Sequence, residues 1–381
     1  MTCASIYLDA NATTPLHPEV LAAMTPALSH FFANPSSVHK QGQDARALVD
    51  RAREQCAQAL GCDPRELTFT SGGTESDNLA IRGLVGAGPG RRIVTSAVEH
   101  PAVLAACAES GAEVARVPVD GSGRLDLAAL DRALPGAALC SIMAANNETG
   151  ILFPLTEIGA LCRKHGVPLH TDAVQAVGKL PLSLRDLPVD LLTCSAHKVQ
   201  GPKGAGLLWA RRGLRLEPVV TGGHQERGRR GGTENVAGIV GLGAALELAT
   251  GALPETEPRL RRLRDRLAAA ALAIPGARIA GPLSSLVCNT LNVAFEACDG
   301  ETLLVGLDLE GVAVSTGSAC SSGSLEPSPV LLAMGYPPDL ARGAVRLSLW
   351  SGNTEAEIDE VCALLPVVVA RARGRDRSAH T

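Results

Sequence analysis

From residue 67 to residue 209 short apolar runs alternate with amphipathic stretches, a rhythm that predicts a largely parallel sheet covered by helices on both faces. The apolar runs predict strands at Leu67–Thr70, Arg92–Ser96, Glu113–Pro118, Ala138–Met143, Val167–Thr171, Leu191–Cys194 and Gly206–Trp209. Apolar positions spaced three and four apart predict helices over Glu75–Val85, Ala102–Glu109, Leu127–Leu134 and Leu155–His165. Gln43–Leu60 reads as a further amphipathic helix ahead of the sheet. Asn235–Ala249 and Arg259–Leu272 read as two more beyond it, with Pro254 and Pro258 marking the break between them. From about residue 250 the pattern changes. Strands at Thr290–Phe295 and Val345–Leu349 mix with helices near Glu301–Leu309 and Glu355–Ala370, so a smaller α+β unit is expected there.

Composition narrows the class. The chain has 381 residues, enough for one large or two medium domains. Aromatic residues make up only 2%, so aliphatic side chains must do most of the packing. A formal net charge of −4, with no basic run interleaved with aromatics, argues against a nucleic-acid surface. The first residues lack the basic and apolar regions of a secretory signal, and no run of about 20 apolar residues suggests a membrane span. The eleven cysteines are scattered without a CxxC pair. Several of them, Cys140 and Cys194 included, fall in runs that read as buried strands, and a reducing cytoplasm fits that pattern.

The chemistry-bearing residues follow predicted strands, and in parallel sheets ligands bind beyond the carboxyl ends of the strands. TSGGTESDN (residues 70–78) leaves a strand and opens a helix. Its Gly72, Gly73 and Thr74 suit a phosphate at a helix N-terminus; equally, Thr74 and Asp77 suit a capping box. HTDAVQAVGK (residues 170–179) ends a strand at Asp172, either a helix cap or a carboxylate for a protonated heterocycle. CSAHKVQGPKG (residues 194–204) ends another with Ser195, His197 and Lys198, and a strand-end lysine is either solvated or able to bond an aldehyde. His100 is either a helix-start residue before Pro101 or a flat face for a ring. Together, a phosphate cup, a carboxylate and an amine are what pyridoxal 5′-phosphate requires. Far downstream, STGSACSSGS (residues 315–324) presents Cys320 among glycines and serines, either an incidental surface thiol or a nucleophile on a flexible tether.

Read in order, YLDANATTP, FFANPSSVH, TFTSGGTESDN, NNETG, HTDAVQAVGK, AHKVQGPKG, GGHQERGRRGGTENV and STGSACSSGSLEPS closely resemble the cysteine desulfurases, the sulfur-mobilising branch of the class V aminotransferases. TENVAGIVGLG and SGSLEPS are most similar to the nitrogen-fixation-type members. The resemblance covers nearly the whole chain. It implies a fold type I pyridoxal-phosphate enzyme, with a large cofactor-binding domain at 15–250. The small domain would comprise 1–14 and 251–381 and carry a catalytic-cysteine loop at about 315–327.

The resemblance also implies roles. Lys198 would hold the cofactor aldehyde, Asp172 its ring nitrogen and Gln175 its ring hydroxyl. His100 would stack on the ring and relay protons. Gly73, Thr74, Ser195 and His197 would hold the phosphate, joined by Thr233 from the other subunit of a homodimer. Asn147 would contact cofactor and substrate, Arg346 the substrate carboxylate, and Asn11 and Asn34 would line the entrance; these two asparagines suit turn hydrogen bonds equally well. Cys320 would take sulfur from L-cysteine as a persulfide, leaving L-alanine, and pass it to an acceptor such as an iron–sulfur scaffold. No metal is obligatory, although Cys320 is a candidate ligand for a transferred cluster. A selenocysteine lyase or an aminotransferase is the alternative on the same fold. Two positions depart from the family pattern: Ala144 where relatives often carry His or Trp, and Trp350–Ser351 where a Gly-Arg pair is common.

Overall fold

The computed structural model describes residues 6–86, 91–316 and 326–374. A short strand, β1 (Ile6–Tyr7), precedes helices α1 (Pro18–Ser29) and α2 (Lys40–Leu60). Seven strands then form the main sheet: β2 (Leu67–Thr70), β3 (Arg92–Ser96), β4 (Glu113–Val117), β5 (Leu139–Ser141), β6 (Leu169–Asp172), β7 (Leu191–Ser195) and β8 (Gly206–Ala210). Their connections carry α3 (Gly73–Val85), α4 (Pro101–Ala108), α5 (Leu127–Ala133) and α6 (Leu155–His165). The rest of the chain runs through α7 (Val236–Leu272), β9 (Ala277–Ile279), β10 (Thr290–Phe295), α8 (Gly300–Leu309) and β11 (Val312–Ala313). Two short helices, α9 (Pro329–Ala333) and α10 (Pro338–Arg342), lead to β12 (Ala344–Ser348) and α11 (Glu355–Ala372).

The main sheet has the order β2-β8-β7-β6-β5-β3-β4, and β8 alone runs antiparallel to its neighbours. Consecutive strand residues face opposite sides, as the pleat requires. Ile93, Leu139, Leu191 and Leu208 pack with α3 and α4 on one face. Val94, Cys140, Leu192 and Leu207 pack with α2 and α6 on the other. Both faces are thus covered, which is the expected doubly wound arrangement. Burial pushes the Cys194 thiol up to about 12, so this strand cysteine is chemically inert at neutral pH. A separate apolar cluster joins the distal half of α7 to the antiparallel sheet β12-β10-β9 and to α8 and α11.

One expected boundary is absent. Pro254 and Pro258 do not break the helix, because α7 continues through both for 37 residues. Both prolines face solvent, where water can take the carbonyls that they deprive of partners. Tertiary packing anchors each end: Ile239, Leu242 and Leu246 lie in one cluster, Leu263 and Leu267 in the other. Among the described residues α7 is long and apolar enough to cross a membrane, yet half of that apolar stretch is buried inside the protein. Helix α1 was not apparent in the apolar pattern, since it buries only Val20 and Ala27 and leaves Leu21 and Leu28 exposed.

A buried ion pair fastens the segment before α7 to the sheet. Arg53 of α2 bonds both carboxylate oxygens of Glu226, at 2.6 and 3.0 Å, and lies over the Phe69 ring. Glu226 in turn accepts the Phe69 N–H at 3.0 Å from a left-handed backbone conformation (φ 47°). Arg53→Met would strand a buried carboxylate, so it should lower stability by about 3–5 kcal/mol. Adding Glu226→Gln should recover much of that loss, and urea unfolding of the two variants measures both effects.

Candidate active site

Parallel alignment brings the carboxyl ends of β2, β3, β5, β6 and β7 to one rim of the sheet, where a cavity of about 330 Å³ opens. Gly73 and Thr74 line it from the start of α3, His100 from beyond β3 and Asn147 from beyond β5. Asp172 and Gln175 enter from the end of β6, and Ser195, His197 and Lys198 from the end of β7. Asn11 and Arg346 close it from the N-terminal segment and β12. Two proposed site residues lie elsewhere. Asn34 is exposed, its side-chain oxygen accepting Ser36 N–H in a turn, and Thr233 is exposed at the surface. Cys320 lies outside the described residues.

The start of α3 resolves one open choice. Its cap is Gly72, with no side-chain cap hydrogen bond, so the capping box of Thr74 and Asp77 does not form. Gly72 has φ 155°, a conformation that glycine alone adopts readily. Gly206 of β8 lets this turn lie close, because a Cβ there would sit 2.6 Å from the Gly72 Cα. Among the described residues the N-terminal amides of α3 therefore lack a side-chain acceptor, and the buried Ser195 hydroxyl beside them has no hydrogen-bond partner. An uncapped helix N-terminus and an orphaned hydroxyl on one wall fit a phosphate group.

The remaining donors and acceptors fit a pyridine aldehyde equally well. Asp172 is buried, with one carboxylate oxygen accepting Val174 N–H at 2.9 Å. Burial holds its carboxyl above the usual range, offset in part by the Val174 N–H, His100 and Lys198. His100 combines both of its expected roles: Nδ1 accepts Ala102 N–H at 3.1 Å, capping α4, while the residue lines the cavity. That bond leaves the proton of the neutral ring on Nε2, and burial keeps the ring neutral by pushing its pKa down. Lys198 donates to the carbonyls of Asn11 and Ala12, the latter at 2.8 Å. His197 bonds Thr13 Oγ1 at 3.2 Å, and burial pushes its pKa to about 4.

Arg346 is buried and already spoken for on one side, where Nη2 meets Asp9 at 2.7 Å and Nη1 meets the Asn147 carbonyl at 3.0 Å. Its buried Nε has no hydrogen-bond partner among the described residues. Asn11 is more deeply built in than an entrance residue. Its side chain donates to the Asn147 carbonyl and to Thr290 Oγ1, and accepts from Asn289 and Lys179.

The family model for class-V aminotransferases matches residues 6–361. A cysteine desulfurase from Trichormus azollae is 49% identical over 374 residues, covering 97% of this chain and 94% of the relative. The chain belongs to the cysteine desulfurases. Among solved structures, a NifS-like protein matches with a TM-score of 0.90 at 37% identity, over 96% of this chain and 100% of that one. Another, described as SspA in complex with cysteine, matches with a TM-score of 0.80 at 34% identity, over 91% and 99%.

In this desulfurase the two departures from the family pattern lie off the cavity wall. Ala144 is buried behind it, donating its N–H to the Asp172 carbonyl, and Trp350 and Ser351 line a second cavity of about 320 Å³. Several buried groups escaped the sequence reading. Lys179 and His170 occur in HTDAVQAVGK and Glu99 directly precedes His100, but only the fold shows that they are buried around the site. His170 bonds Ser141 and Thr193, and burial pushes it down to about 3. Asp77 lies 3.7 Å from it, raised well above the carboxylate range by burial and by Asp172, so no full ion pair forms there.

Glu99 offers a test. It bonds Ser96 Oγ at 2.6 Å and Met143 N at 3.1 Å, and burial pushes its carboxyl up to about 8. The folded protein keeps a proton that the unfolded chain releases near pH ~4.3, so this group favours folding at low pH and loses that contribution as pH rises through about 8. Glu99→Gln keeps both contacts without the proton. Between about pH 5 and pH 8 the variant should gain roughly 1–3 kcal/mol on the wild type in urea unfolding, whereas parallel pH profiles would refute the assignment.

Proposed function

We propose that this desulfurase removes sulfur from L-cysteine, releasing L-alanine and leaving a persulfide on Cys320, with pyridoxal 5′-phosphate as its resident cofactor. One observation carries the reading: an amine, a carboxylate, a flat imidazole and an uncapped helix N-terminus share one cavity. When bound, the cofactor would supply a ring that draws electrons from the substrate Cα and so loosens the Cβ–S bond.

The chain's own residues do the rest. Gly73, Thr74, Ser195 and His197 hold the phosphate, and a cation against Asp172 returns that carboxyl to its ionised form. Asn147 helps to seat the cofactor and substrate, and Arg346, which lines the cavity, meets the substrate carboxylate. Lys198 moves the Cα proton, and His100 stacks on the ring and relays protons. The Cys320 thiolate attacks the substrate sulfur, so an S–S bond forms as the Cβ–S bond breaks. Cβ then takes a proton and alanine leaves; no outside oxidant or reductant is needed.

A homodimer fits the same reading. Leu21, Leu28, Phe32 and Val38 leave apolar surface exposed on and after α1, and Thr233 is exposed, as a residue offered to a partner's phosphate site must be. An iron–sulfur scaffold in a reducing cytoplasm is the acceptor that this reading favours. The division into 15–250 and 1–14 with 251–381 belongs to the same proposal: Ile6 and Leu8 pack with Leu291 and Leu347 in the second apolar cluster, although Ala280, Leu331 and Ala344 join the first.

Incubation with L-cysteine should add one sulfur to Cys320 by mass spectrometry, with alanine accumulating in step. Cys320→Ala should abolish that adduct and cut sulfide release in dithiothreitol by at least about 100-fold. Release at the wild-type rate would overturn the mechanism. Consumption of a keto acid without transferable sulfur would point to an aminotransferase, and turnover of selenocysteine alone to a lyase.

A further inference from the structure

Lys179 occupies an unusual place for a lysine. It is buried, and none of the described acidic side chains forms an ion pair with it. The ionisable groups that act on it are Lys198, Cys288 and Arg346, and its Nζ lies 2.6 Å from Gln175 Oε1 and 3.4 Å from Asn11 Oδ1. The chain turns twice between Ala173 and Leu180, through bonds from Val177 and Leu180 to the carbonyls of Ala173 and Ala176. That winding sets Gln175 and Lys179, four positions apart, on one side.

We propose that Lys179 is a positioning residue that locks the Gln175 amide with an N–H, rather than its carbonyl, turned to the cofactor cavity. The inference rests on the cofactor reading above. The amide has two hydrogen-bonding neighbours. Asn11 O can only accept, and it takes Gln175 Nε2 at 3.0 Å; the Lys179 head donates to Oε1. A flipped amide would set N–H against a donor and oxygen against oxygen, losing both bonds. The second Nε2 hydrogen is then left for the cavity that Gln175 lines. As an ammonium Lys179 can only donate, whereas a neutral amine can also accept, so the lock is firmest with Lys179 charged; the Asn11 carbonyl accepts in either case.

A donor facing the cofactor's ring hydroxyl favours the ionised ring oxygen, whereas a carbonyl there would oppose it. Without Lys179 the amide is free to turn. Lys179→Met should therefore move the ionisation midpoint of the bound cofactor's visible absorption band up by about one pH unit. Because the effect passes through Gln175, it should vanish when Lys179→Met is added to Gln175→Ala, and the four-member cycle reads this coupling directly. If the methionine variant does not fold, Lys179→Leu, which also lacks a donor, carries the same cycle.

An unmoved midpoint in the single variant, or an equal shift in both backgrounds, would overturn the inference. A wild-type protein that shows no visible band with added pyridoxal phosphate would overturn the cofactor reading itself. A shift confined to the background that retains Gln175 bears the inference out.

Discussion

Beneath the cavity the buried backbone and side chain of Asn11 must find partners, and much of the site is arranged around that demand. A buried polar group left unpaired costs about 1–3 kcal/mol. Asn11 meets the demand by drawing in Lys198 and Gln175 at its carbonyl, and Lys179, Asn147, Asn289 and Thr290 at its side chain. These partners come from the main sheet's rim and from β10 and the turn before it. The same bonds that satisfy the N-terminal segment therefore hold Lys198 and seat one core against the other.

Charge is managed by burial as much as by pairing. His170, His197 and Lys179 are pushed down, and Asp77, Glu99 and Asp172 are pushed up. Each shift favours the neutral form, so the site presents few fixed charges before a ligand arrives. A bound cation or phosphate would then meet groups whose protonation it can reset, which suits the proposed cofactor. The uncapped N-terminus of α3 belongs to the same scheme, since no described side chain satisfies its amides from within.

The strand–helix alternation was legible because both sheet faces are apolar, and helical spacing differs from strand spacing. Strand ends also placed Asp172, Ser195 and Lys198 on one rim in advance, since parallel strands finish on the same side. The reversed direction of β8 was not legible, because a strand buried on both faces reads alike either way. The unbroken α7 was also hidden: Pro254 and Pro258 carry the local signal of a break, and only packing at both ends overrides it. Lys179 stood in full view within HTDAVQAVGK, but nothing in that string says that its head is buried beside Gln175.

The chain by itself determined the fold class, the family and the identity of the chemical groups, because periodicity and motif order are properties of neighbouring residues. Cys320, outside the described residues, belongs wholly to that record. The tertiary structure decided which polar groups are buried and what each one faces: the empty cap at Gly72, the orphaned Ser195 hydroxyl, the Asp9 partner of Arg346 and the orientation of Gln175. Burial and pairing arise between residues far apart in the chain. No local pattern carries them.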